Sequence, residues 1–104
     1  MSRKITTPLH VKDESNEWQQ LADAIILQAV KDYRGMVRLI NRIKWNIRRK
    51  HYSPEEKVYQ FQRIDYYKRE QSKVGDFFLS GWFATMTTID GYDLLSRLER
   101  EAEE

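Results

Sequence analysis

Between Trp18 and Ile47 the apolar residues Trp18, Leu21, Ala22, Ile25, Ala29, Tyr33, Met36, Ile40, Ile43 and Ile47 recur at spacings of three and four. At about 100° per residue these positions gather on one side of a helix, and no strand sustains that period. The spacing predicts a helix from Glu17 to about Lys50, ~50 Å long at the usual rise per residue. Asn16 is placed to cap it, with Gln19 reciprocating three residues on. Gly35 falls inside the run at a cost of about 1 kcal/mol relative to alanine, which leaves both a bend and an unbroken helix open.

The next boundary is sharper. Ser53-Pro54-Glu55-Glu56 supplies a capping hydroxyl, a proline whose missing amide is harmless in a first turn, and carboxylates suited to the positive helix end. A second helix is expected from Pro54, ending near Lys73 or passing through Gly75 into Asp76-Phe77-Phe78. The short link His51-Tyr52-Ser53 folds it back as an antiparallel hairpin. Its apolar residues Val58, Tyr59, Phe61, Ile64, Tyr66 and Tyr67 point several ways, so it needs neighbours on more than one side, from the rest of this chain or from a second subunit. After Ser80, a short helix brings Trp82, Phe83 and Met86 to plug the open end of the hairpin. Asp90 then caps a last helix with Tyr92, Leu94, Leu95 and Leu98 as its apolar residues, and the acidic end from Glu99 to Glu104 is expected to fray. The fold class is all-α: a long antiparallel helical hairpin, a short helix and a C-terminal helix. Residues 1–14, aperiodic and including Arg3 and Lys4, read as a flexible arm before a single domain, 15–104.

The composition narrows the chemistry. With no cysteine in 104 residues, disulfides, thiolate zinc sites and cysteine nucleophiles are excluded. His10 and His51 are far apart and lack ligand spacing, serine has no nucleophile elbow, no glycine-rich phosphate loop is present, and Asp90-Gly91-Tyr92-Asp93 is too short for a calcium loop. Asp65, Glu70 and Asp76, which have no assigned partner in the sequence, could meet in space to hold magnesium, and pairing with nearby lysines and arginines is the plainer reading. A non-enzymatic protein without cofactors or metal is expected. No signal-peptide core and no apolar run of about 20 residues occurs, so the expectation is a soluble, intracellular protein that does not cross a membrane.

Charge is distributed unevenly. Residues 34–50 hold seven basic residues and no acidic one, whereas the C-terminal stretch from Asp90 is acidic, within a net charge of only +2. Such separation permits head-to-tail self-association, pairing between the two regions, or a basic surface offered to an anion. On a helical wheel Arg34, Arg38, Arg42, Trp45 and Arg49 fall within about 80° of one another, away from the apolar stripe. No glutamate four residues away relieves them. Arginine forks suit phosphate or carboxylate, and Trp45 suits stacking or a pocket. The candidate binding residues are Arg34, Arg38, Arg42, Trp45, Arg48, Arg49, Lys50, Tyr52 and Tyr59, with Tyr66 as a further aromatic anchor. The alternative is a solvated face with Trp45 covered by the C-terminal region.

Two segments, LQAVKDYR at residues 27–34 and FFLSGWFATMTTIDGYDLL at residues 77–95, resemble a pattern in small helical proteins of Gram-positive prophages and other mobile elements. The resemblance implies an all-helical protein working in the cytoplasm of a bacterial host, and it supplies no catalytic residue. Met86 stands where that group more usually has leucine, and the basic-aromatic middle from Arg42 to Lys73 lies outside the pattern. The reading that follows is an interaction protein docking on a host protein or ribonucleoprotein that handles nucleic acid, in the manner of an anti-CRISPR inhibitor. A nucleic-acid-binding transcriptional regulator is the alternative, direct contact with nucleic acid being common to both, and a homodimer is compatible with either.

Overall fold

The computed structural model describes residues 7–103, with side chains from residue 16 onward. Among the described residues there are four helices and no strand: α1 (Thr7–Arg49), α2 (Pro54–Phe78), α3 (Gly81–Met86) and α4 (Gly91–Glu103). The helical hairpin with a short helix and a C-terminal helix is therefore the architecture. α1 starts earlier than its apolar period announced, so Asn16 is an interior helical residue and not a cap. Pro8 falls in the first turn, where a missing amide is tolerated, and no glycine or further proline interrupts the chain before Asn16. Residues 1–6 of the expected arm, with Arg3 and Lys4, lie outside the described residues, as does Glu104.

α1 passes through Gly35 without a break. A Cβ there would meet nothing nearer than the tip of Arg38, at 4.0 Å, so this glycine reflects no tight packing within the chain. The remaining caps follow the chemistry of their residues. The Glu56 amide donates to Ser53 Oγ at 3.2 Å while the Ser53 amide donates to Glu56 Oε1 at 2.8 Å, a complete capping box. Ser80 Oγ accepts from the Phe83 amide and caps α3. Asp90 Oδ1 accepts from the amides of Tyr92 and Asp93 at 2.9 and 3.3 Å and opens α4.

The core has two parts. Ile26, Val30 and Tyr33 of α1 pack with Phe78, Phe83 and Leu98 from the other three helices, forming a four-helix body. Beyond it Ile40 and Ile43 meet Ile64, with Leu39, Ile47 and Tyr67 at the edge, and only α1 and α2 contribute. A two-helix arm thus projects from one end of the body. The described molecule measures 73 × 24 × 21 Å, with a radius of gyration of 20.3 Å; a compact chain of this size would have ~13 Å.

Several apolar positions differ from expectation. The core line of α1 is Ile26, Val30, Tyr33, Ile40 and Ile43, with Val37 and Ile47 partly buried along it, whereas Ile25 is 40 % exposed. The cause is drift: a core line spaced every 3.5 residues rotates about 20° per heptad on a helix of 3.6 residues per turn. A wheel phased on Ile43 and Ile47 is therefore wrong by some tens of degrees at Ile25. Trp82 and Tyr92, expected inside, are 66 % and 69 % exposed; Phe83 alone fills the plug, with Met86 at its margin. The acidic end does not fray at Glu99, because α4 continues to Glu103 and is tied to α1 through Glu101.

Candidate functional site

The same drift that misplaces Ile25 sorts the basic residues. Near Arg34 the core line has turned towards the basic side of α1, and α4 packs alongside. Arg34 Nε and Nη2 donate to Glu101 Oε1 and Oε2, both at 2.8 Å, in a two-pronged ion pair. The pair raises the Arg34 guanidinium above its ordinary value and lowers the Glu101 carboxyl below its own, through the shared hydrogen bonds first. Arg38 lines the same shallow notch, with Leu98 and Ala102 on the other wall. Arg34 is thus occupied by the chain's own acidic helix.

Further along, the core line has rotated to the opposite side, and α4 no longer reaches. Trp45 is 51 % exposed and the C-terminal region does not cover it. The Arg49 and Arg48 guanidinium carbons lie 4.9 and 5.9 Å from its ring centroid, within cation–π range. Both arginines are exposed, and so are Arg42 and Lys50. Among the described residues, Arg38, Arg42, Arg48, Arg49 and Lys50 have no carboxylate within salt-bridge distance. From Arg42 to Ile64 the arm carries seven basic residues against Glu55 and Glu56, a net +5 in a chain of net +2.

The aromatic candidates divide. Tyr59 is exposed and belongs, by the hairpin register, to the same end of the arm as Trp45; Tyr52, in the connection, is only half-buried and less available. Tyr66 is exposed nearer the body and stacks edge-on against Tyr67, with centroids 5.2 Å apart. Two further exposed apolar side chains of the arm, Val58 and Phe61, stand outside the expected binding residues. Their signal was the lack of any single stripe on that helix, which two-helix packing leaves partly uncovered.

Among the described residues no three histidine or carboxylate side chains converge as a metal site would require. Glu70, one of the carboxylates considered for magnesium, is instead 2.8 Å from Lys73, and this contact raises the Lys73 ammonium above its ordinary value. The side chain of His10 lies outside those described, and His51 is exposed in the connection. No helix is long and apolar enough to cross a membrane among the described residues. No family model, curated protein or solved structure matches the chain.

Proposed function

We propose that this chain is a non-enzymatic interaction protein whose projecting arm docks on an anionic surface of a host complex that handles nucleic acid. The observation that carries this reading is the arm tip. Half-exposed Trp45 has the Arg48 and Arg49 guanidinium groups over its ring there, on a two-helix projection of net +5 whose cations meet no carboxylate among the described residues. Parallel arginines raise one another's electrostatic cost, which a phosphate or carboxylate partner relieves. A tryptophan already flanked by cations presents a rigid ring at little entropic cost, as binding anchors do. Arg42, Lys50 and Tyr59 extend the surface; Arg38 lies at its inner margin and Arg34 outside it, engaged by Glu101.

The resemblance to prophage and mobile-element proteins makes a bacterial host the natural setting and inhibition of a defence ribonucleoprotein the specific form of this proposal. Transcriptional regulation by a recognition helix is less favoured, because the two short helices lack the charge for it. α3 has no charged residue, and α4 has Asp93, Glu99, Glu101 and Glu103 against Arg97 and Arg100. Capture from bacterial lysate with and without nuclease separates the two. Retention of one host protein after nuclease is the expected outcome; loss of every partner, with affinity for bare DNA or RNA that falls steeply with salt, would favour the regulator.

A further inference from the structure

A second surface lies away from the arm tip. An open groove of about 730 Å³ runs between α1 and α2, with Ile25, Ala29, Gly35, Met36 and Leu39 along its α1 side. At Ile25 it joins a second hollow of about 420 Å³, where Trp18, Leu21 and Ala22 face Trp82 and Met86 of α3. Trp18 is 71 % exposed, and Leu21, Ile25 and Trp82 are also exposed. An exposed apolar strip of this length, edged by polar residues, is uncommon on a monomer. The small residues Ala22, Ala29 and Gly35 within it allow a helix to approach closely.

We infer that this groove binds the same stretch of α1 from a second copy of the chain, antiparallel, about a two-fold axis near Gln28 and Ala29. Charge placement selects this occupant. Residues 13–23 carry Asp13, Glu14, Glu17 and Asp23 with no basic residue, and residues 35–44 carry Arg38, Arg42 and Lys44 with no acidic one, while Arg34, engaged by Glu101, takes no part. The stretch from Trp18 to Leu39 has its midpoint between residues 28 and 29, and antiparallel pairing about that point sets the acidic stretch of each copy beside the basic stretch of the other. A parallel pair would instead lay the two +5 arms together. The antiparallel pair holds their tips ~60 Å apart at the helical rise, well beyond the screening length of about 8 Å. The groove rim also carries both signs, Lys31 and Lys73 with Asp32 and Glu70, which suits a self-complementary contact and not a polyanion.

The area is sufficient. Trp18 to Leu39 spans ~32 Å, and with a molecular cross-section of 24 × 21 Å each copy offers ~700 Å², close to the ~800 Å² per partner of a standard stable interface. Trp45 to Lys50 lies beyond the paired stretch, so this contact stands or falls separately from the docking surface.

Sedimentation equilibrium of the purified full chain gives the test. The expected result is a dimer at micromolar concentration, with Ile25→Glu raising its dissociation constant at least ~100-fold, because the two-fold contact buries the new carboxylate twice. Ile25 is outside the core, and unchanged helicity by circular dichroism establishes that the variant is folded. Gln28→Cys provides a second readout in a chain without cysteine: mild oxidation should convert the dimer to a disulfide-linked one. A monomeric full chain, a dimer whose affinity ignores Ile25→Glu, or a dimer that Gln28→Cys fails to cross-link would each overturn the inference.

Discussion

Phe83 and Tyr92 lie nine residues apart and meet opposite fates. Phe83 is 1 % exposed, edge-on to Phe77 and Phe78 with centroids 5.6 and 5.7 Å away, at the one place where α2, α3 and α4 converge. Phe83→Ala should therefore lose about 3–5 kcal/mol of stability through the cavity it leaves, while Tyr92→Ala should stay within about 0.5 kcal/mol of the parent. Urea denaturation of both variants measures the contrast. Glu56 contributes to acid sensitivity. The Ser53 amide hydrogen bond holds its carboxyl below the usual 4.5, so its contribution is complete above that value and is lost as pH falls through the lowered one. The Glu101 carboxyl, lowered by Arg34, acts in the same direction. Thermal midpoints of the parent should fall between about pH 5 and pH 3, and Glu56→Gln, which keeps an acceptor but does not titrate, should flatten part of that fall. Parallel curves for parent and variant would contradict the assignment.

At the scale of elements, two glycines distinguish packing from tolerance. A Cβ on Gly91 would overlap the Phe78 carbonyl oxygen, because the start of α4 presses on the end of α2. Gly91→Ala should destabilise by at least ~2 kcal/mol, since the backbone must move to admit it. Gly35→Ala should stabilise by about 1 kcal/mol through helix propensity, read in the Ile25→Glu background so that only effects within one chain count. Both are checked by chemical denaturation. The element boundaries at Ser53, Ser80 and Asp90 were legible because capping is local: a side-chain oxygen and an amide two or three residues away decide it. The face of α1 turned to the core was legible at Tyr33 and at its far end. Ile40, Ile43 and Ile47 keep their expected role, but Ile26 and Val30 replace Ile25, since the phase of a long helix accumulates drift that a straight wheel omits. The bond between Arg34 and Glu101 joins residues 67 positions apart; the charge asymmetry announced opposite regions, but no local rule names the pair. The exposure of Trp45 likewise depended on where α4 ends its contact with α1.

The whole molecule is a body with a charged arm. Four helices anchor one end through the aromatic cluster, and α4 neutralises the inner arginine there, so positive charge is left concentrated at the tip. In this arrangement stability and binding are separable. Trp45→Ala should leave the denaturation midpoint nearly unchanged, because the ring is half-exposed and packs chiefly on two exposed cations, yet it should weaken partner binding by about 2 kcal/mol as a loss of a central anchor does. The most direct test is charge reversal at the tip, Arg48→Glu with Arg49→Glu, assayed for retention of the nuclease-resistant host partner and for helicity by circular dichroism. The expected result is loss of partner retention with full helicity; partner retention equal to the parent's, in a folded variant, would contradict the docking role of the arm.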